Sequence, residues 1–267
     1  MGVTRQQNEA GATSEQSGES FYDLLKTIFY ALLIALVFRT FFFQPFSIPS
    51  GSMKPTLLIN DYIFVSKYSY GYSKYSLPFA NSLPDLFGGR LLAGTPERGD
   101  VIVFRNPQEL DKDYVKRMVG LPGDVIDIRE GLLFINGVKA PLRPVGDFAD
   151  RAFEASKSCA KPAPDGGCLV TQYMETLPNG REHPILDIYA ATPSRSQGDN
   201  DRYIVPPGHY FFMGDNRDNS QDSRFASPGF VPESHLIGRA EIVLLSSEGA
   251  FWEFWKWRGD RFFLSVE

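Results

Sequence analysis

Two hydroxyls, Ser50 and Ser52, stand on either side of one glycine in Phe46-Ser-Ile-Pro-Ser-Gly-Ser-Met-Lys-Pro-Thr56. Pro49 restricts its own φ to about −65° and drives Ile48 into an extended conformation. Gly51 permits a sharp bend or a close backbone approach, and Pro55 ends whatever begins at Ser52. A serine on so stiff a bend is a candidate nucleophile, although Ser, Gly and Pro also make ordinary turns. The nucleophile needs a base. The three histidines, His183, His209 and His235, stand in contexts that read as surface or capping positions. Lysine is the remaining base, and it serves only when desolvation, with no carboxylate close by, depresses its pKa.

Three lysines compete for that role. Lys116 lies in Asp113-Tyr-Val-Lys-Arg-Met-Val-Gly120, which reads as a strand, so Tyr114, Lys116 and Met118 share one face. An aromatic and a methionine on that face favour an apolar setting, while Arg117 points the other way and can take the carboxylates. A lysine in water on an edge strand is the competing reading. Lys161 closes Ser158-Cys-Ala-Lys161 with an SxxK spacing, but no helix aligns the pair and no Lys-Thr-Gly accompanies it. Lys54, two residues beyond Ser52, reads as too local and too exposed to give up its proton. A third stretch, Gly214-Asp-Asn-Arg-Asp-Asn-Ser-Gln-Asp-Ser-Arg224, alternates acids with amides and hydroxyls. It fails as a calcium loop, because Arg217 takes an early ligand position and no central glycine is present. Its Ser220 offers a neutral hydroxyl that can orient a neutral lysine without imposing a charge.

The elements that must position these groups differ sharply along the chain. Residues 1–20 are polar and read as a disordered tail. Thr27 to Phe38 is uncharged and apolar between Lys26 and Arg39. With those two cations snorkelling, residues 21–43 are long enough to cross a bilayer as one transmembrane anchor. A signal peptide wants a basic start and a small-x-small exit, and neither is present; a buried core helix wants a polar face. Arg5 and Lys26 precede the centre of the span, whereas Arg39, Lys54, Lys67 and Lys74 follow it, so charge bias does not decide the orientation. Beyond Ser52 the pattern is short β-branched and aromatic runs: 62–65, 100–104, 114–119, 124–129 and 132–135. Glu130-Gly131 and Asn136-Gly137 read as tight hairpins. Tyr68 to Arg90 reads as a loop or ribbon. Residues 141–202 are polar and loop-rich, with strands near 170–174 and 185–189, and read as an insertion or small cap. Strands resume at 203–205, 209–213 and 236–245. The fold expected is mainly β: an antiparallel catalytic domain over 44–140 and 203–247, a β-rich cap over 141–202, and a helical anchor in front.

The chain has 267 residues, 43% hydrophobic and 14% aromatic, with a net charge of −5. That supports a sizeable core and gives no electrostatic footprint for nucleic acid. No CxxC or HExxH occurs, so neither a metal site nor a cofactor is expected. Cys159 and Cys168 flank a turn-like stretch and can form one bridge, which is compatible with an oxidising compartment without proving one. All three tryptophans fall in Phe251-Trp-Glu-Phe-Trp-Lys-Trp257, within a C-terminal segment, 248–267, expected to lie at a membrane interface rather than in the core.

Ser50-Gly-Ser-Met-Lys-Pro-Thr56, Gly99-Asp-Val-Ile-Val-Phe104, Tyr114-Val-Lys-Arg-Met-Val-Gly-Leu-Pro-Gly-Asp124 and Gly214 to Arg224 occur in an order and context that resemble the type I signal peptidases, bacterial leader peptidases with a serine-lysine dyad. The likeness runs from about Phe38 to Leu245 and is least between Pro141 and Arg202. It implies Ser52 as nucleophile and Lys116 as general base, with the Ser52 N–H and the Ser50 hydroxyl as the oxyanion hole. It implies that Ser220 orients the lysine and that Gly214, Asp215, Asp222 and Arg224 support the site, with Arg117 partnering Asp215. Phe46, Ile48, Pro49, Met53, Leu57, Ile63, Asp113, Tyr114 and Val115 would line the substrate cleft, where an extended signal peptide adds as a strand and leaves room only for small residues at an Ala-x-Ala site. The resemblance also implies a bacterial inner-membrane protein with a cytoplasmic N-terminus and a periplasmic or extracellular catalytic domain near the export channel. Two other readings are a related Ser-Lys maturation peptidase and an anchored, catalytically silent β-domain that binds secreted chains. The distance between Ser52 and Lys116 separates both dyad readings from the last.

Overall fold

The computed structural model describes residues 15–77, 89–150, 159, 161–164, 167–187, 201–250 and 252–267, with the backbone alone over 15–20. Two compact units result, Met1–Phe42 and Phe43–Glu267. In the first, α1 runs over Glu15–Phe41. The expected tail therefore ends earlier than residue 20, because Glu15 to Ser20 are helical; residues 1–14 lie outside the described residues. Phe21–Phe41 is the one described helix apolar and long enough to span a bilayer, about 31 Å at 1.5 Å per residue. Thr27 and Thr40 hide their hydroxyls by donating to the carbonyls of Asp23 and Leu36 one turn back, which suits a lipid-facing helix. The span stops two residues short of the expected Phe43. Pro45 cannot continue a helix and extends the residue before it, so Phe43 already belongs to a strand.

Among the described residues the second unit has fifteen strands: β1 (Phe43–Ser47), β2 (Asp61–Ser66), β3 (Val101–Arg105), β4 (Asp113–Gly120), β5 (Val125–Arg129), β6 (Leu132–Ile135), β7 (Val138–Lys139), β8 (Leu142–Asp150), β9 (Cys168–Thr176), β10 (Glu182–Leu186), β11 (Arg202–Ile204), β12 (His209–Met213), β13 (Val231–Pro232), β14 (Leu236–Ser246) and β15 (Leu264–Ser265). They form three antiparallel sheets. The largest has the order β1-β2-β14-β3-β4-β12-β13, with β15 added to β14; the others are β11-β5-β6-β7 and β10-β9-β8. Both glycine hairpins form, Arg129 facing Leu132 and Ile135 facing Val138. Glu130 and Asn136 take left-handed φ of 51° and 54°, the geometry such turns require.

Three segments are seen in more detail than the sequence reading gave them. Leu142–Asp150 is a nine-residue strand and not loop: its Pro, Gly and charged residues are tolerated because it is the exposed outer strand of the cap sheet. Within Tyr68–Arg90, Tyr72 and Leu91 bridge across the arm and Lys74–Ser76 makes a 3-10 turn; residues 78–88 lie outside the described residues, as do Ile188 and Tyr189 of the expected cap strand. The C-terminal segment is not wholly peripheral, since Leu264 and Ser265 pair with Val243 and Ile242.

The core explains why the site can be rigid. Ile48, Met53, Leu57, Ile63, Val65, Val101, Val103 and Val243 form one buried cluster, with Phe46 and Val115 packed against it. On the other side of β4, Met118, Ile102, Phe104 and Phe212 form a second, joined by Tyr114. The strand that carries Lys116 is thus held on both faces by side chains packed at near-crystalline density.

Candidate active site

Lys116 sits in the middle of β4, with Val101–Arg105 on one side in continuous register. On its other side β12 reaches only Gly120, Met118 and Arg117, so Asp113 to Lys116 keep a free edge among the described residues. The lysine is buried and lies 5.4 Å from the Tyr114 ring. Its Nζ is 2.6 Å from Ser52 Oγ and donates to the Val115 carbonyl at 3.0 Å. Burial lowers its pKa to about 8, against the smaller opposing pull of Asp222 and Asp215. A neutral amine is therefore accessible near physiological pH, as a general base requires. Ser50 Oγ lies 3.4 Å from Ser52 Oγ, on the exposed side of the turn.

The Gly214–Arg224 loop holds this turn from behind. The Asn216 N–H donates to the Ser52 carbonyl at 3.1 Å and its side-chain amide to the Gly51 carbonyl at 3.0 Å. Gly214 is required by contact: a β-carbon there would lie 2.2 Å from Ser220 Oγ and 2.5 Å from the Ser52 carbonyl oxygen. Asp222 accepts the Gly214 N–H at 2.9 Å and a two-pronged bond from Arg224 at 2.8 Å. Arg117 grips Asp215 through both carboxylate oxygens at 2.9 and 2.8 Å, and Thr56 donates to the same group. Burial alone would raise both carboxyls; the guanidinium beside each overrides it and holds them below the usual carboxylate range.

Three residues sit otherwise than the sequence reading places them. Ser220 is buried beside Gly214, but its hydroxyl makes no formed hydrogen bond among the described residues, and Lys116 bonds to Ser52 and Val115 instead. Its approach to Asp222 helps keep that carboxylate low without bond geometry. Lys54 is not exposed: it is 6% accessible and its Nζ bonds Asp150 at 2.6 Å. With its Nζ engaged by Asp150, it is not placed as the base for Ser52. Nor is His183 a surface residue. It lies buried beside Glu175, and burial with Arg117 nearby drives its pKa well below normal. His235 is half-buried with Nδ1 against the Arg105 carbonyl. Ser158, of the SxxK alternative, lies outside the described residues.

Of the expected cleft residues, Ile48, Met53, Leu57 and Ile63 are core, Phe46, Tyr114 and Val115 are partly accessible, and Pro49 and Asp113 are exposed, with Asp113 held by Arg105. Cys159 and Cys168 form a disulfide. Sequence reasoning missed Thr56, Asn216, Glu175 and Asp150. Thr56 and Asn216 stood inside the singled-out stretches, whereas nothing near Glu175 in the chain announces its buried two-pronged pair with Arg217.

A family model described as signal peptidase, peptidase S26, matches residues 21–245. A signal peptidase I of Rickettsia felis is 41% identical over 227 residues, 84% of this chain and 79% of its own length. That of Rickettsia typhi is 42% identical over 230 residues, 84% and 80% respectively. A solved signal peptidase I of Enterococcus faecalis V583 is 27% identical and covers 54% of this chain and 96% of its own, with a TM-score of 0.30, an overlap that carries no argument about the fold.

Proposed function

The chain belongs to the S26 signal peptidase family, membrane serine endopeptidases that remove signal peptides from exported preproteins, and from that premise we propose that Ser52 and Lys116 are its catalytic dyad. The carrying observation is the 2.6 Å contact between Ser52 Oγ and a buried lysine whose pKa is brought down to about 8. Neutral Lys116 takes the Ser52 proton as Oγ attacks the scissile carbonyl. The oxyanion is held by the Ser52 N–H and the Ser50 hydroxyl. Lys116 then gives its proton to the departing amine, leaving an acyl-enzyme, and as base again draws a proton from the water that clears it. Ser220 acts as part of the packing behind the turn.

Selection follows from the free strand edges. β1 is the edge strand of the large sheet, and Asp113 to Val115 is an open stretch of β4. An extended peptide laid between them alternates its side chains, and the partly accessible Phe46, Tyr114 and Val115 over a filled core admit only small groups, hence an Ala-x-Ala-like site. The topology proposed is a single span, Phe21–Phe41, with a cytoplasmic N-terminus and Phe43–Glu267 outside the inner membrane, near the export channel. The exposed Trp252, Phe254 and Trp255, at 76%, 68% and 65% accessible, support a C-terminal segment that rests in the lipid interface, where tryptophan is favoured. The direct test is cleavage of a preprotein by the wild type and by Ser52→Ala and Lys116→Met. Processing by the wild type alone supports the dyad, and processing by either variant overturns it.

A further inference from the structure

Lys54 folds back over the turn that carries the two serines. A β-carbon placed on Gly51 would meet Lys54 Cε at 3.0 Å, Cδ at 3.3 Å and Nζ at 3.3 Å, so the lysine stem lies against the residue between Ser50 and Ser52. The Lys54 N–H also donates to the Gly51 carbonyl at 3.2 Å. Its ammonium is held at 2.6 Å by Asp150, the last residue of β8 in the cap sheet. Both side chains of this pair are 7% accessible. Across β8, Asp150 stands opposite Cys168, which is tied to Cys159.

Through this pair the cap sheet reaches the nucleophile turn independently of Asn216. Asn216 pins the carbonyls of Gly51 and Ser52, whereas the Lys54 stem fills the space that a side chain at Gly51 would take. We propose that the Lys54–Asp150 pair is a clamp through which the cap sheet positions the oxyanion-binding turn, making Lys54 and Asp150 positioning residues for the acylation step. The proposal rests on the Ser52–Lys116 reading. Gly51 has no side chain to fix its own conformation, so without the clamp the Ser50 hydroxyl and the Ser52 N–H cease to converge on one oxygen. Oxyanion stabilisation depends on donors being fixed before charge develops. Loss should therefore fall on kcat, because the ground-state carbonyl draws far less on those donors than the transition state does. The base has its own partners, Ser52 Oγ and the Val115 carbonyl, and Lys54 Nζ bonds Asp150 instead.

The full-length protein, cleaving a preprotein in detergent micelles, provides the test. Asp150→Asn and Lys54→Met should each lower kcat roughly ten- to a hundredfold, with KM and the pH limb of Lys116 unchanged. Lys54→Arg, which keeps the charge, should retain most of the rate. The double variant should be no slower than either single one, because one clamp is lost only once. Where a single variant does not fold, the double variant is read in its place, and a lowered kcat is again expected. Wild-type kcat in folded variants, a fall in melting temperature with kcat unchanged, additive losses, or a shift of the pH limb would each overturn the clamp. Cleavage by the wild type but not by Ser52→Ala keeps the dyad standing whatever the clamp variants do; a wild type that does not cleave strikes the underlying reading instead.

Discussion

At Lys116 the same burial that would make it the proposed base also costs stability, and the two effects can be separated by pH. With the folded pKa lowered to about 8 from an ordinary 10.5, kcat/KM should rise as pH climbs through about 8 and then level off. A profile that is flat from pH 6 to 10 contradicts a lysine base. The stability linkage has the opposite use. Between the folded and unfolded values the unfolded chain binds more protons, so stability rises with pH there and the penalty is full below about 8. Lys116→Met should therefore be inactive yet more stable at pH 7, by up to ~3 kcal/mol, with the gain fading towards pH 10 in denaturant titrations. Gly214→Ala tests the other contact. Its new carbon, 2.5 Å from the Ser52 carbonyl oxygen, should displace the nucleophile and cost on the order of a hundredfold in kcat.

Among the elements, buried ion pairs do much to hold the candidate-site loop. Arg117 of β4 binds Asp215, and Arg217 binds Glu175 of β9, with all four side chains essentially inaccessible. Removing one member of such a pair strands the other charge, so Arg117→Ala or Glu175→Ala should each lose about 3–5 kcal/mol in chemical denaturation. The carboxyls held low, Asp215 and Asp222, add stability that is complete above the ordinary carboxylate pKa of about 4 and is lost as pH falls through their depressed values. Arg117→Ala should accordingly unfold at a higher pH than the wild type in an acid titration. β10 joins this system through the Leu186 N–H, which donates to the Asp215 carbonyl at 2.8 Å, so the cap sheet contributes directly to the loop beside Ser52.

For the whole molecule, the anchor and the proposed aromatic interface segment can be tested separately for membrane binding. The Phe43–Glu267 unit has its own core and should bind lipid vesicles without α1. Replacing Trp252, Phe254 and Trp255 by Ser should weaken that binding at least tenfold in flotation assays, given roughly 1.5–3 kcal/mol for each large apolar side chain buried. Cleavage of a soluble peptide should be unchanged, because none of the three belongs to the proposed dyad or cleft. Unaltered flotation would remove the interface role from this segment.

The sequence alone carried the local information: the hairpins at Glu130-Gly131 and Asn136-Gly137, the strand around Lys116 with Tyr114 and Met118 on its face, and an apolar span between Lys26 and Arg39. Periodicity and turn chemistry act over a few residues, so they are legible without a partner. The motifs also singled out Ser52 and Lys116, 64 residues apart. What only the tertiary structure decided was which side chains leave water together. Lys54 reads as an exposed neighbour of Ser52 until Asp150, 96 residues on, closes over it, and His183 reads as a surface residue until β9 and β10 bury it. Ser220 reads as the lysine's partner, yet Lys116 turns to Ser52 and Val115. Burial and pairing are properties of the assembled sheets, and a buried charge is compensated by whichever residue the fold brings near, at any distance along the chain.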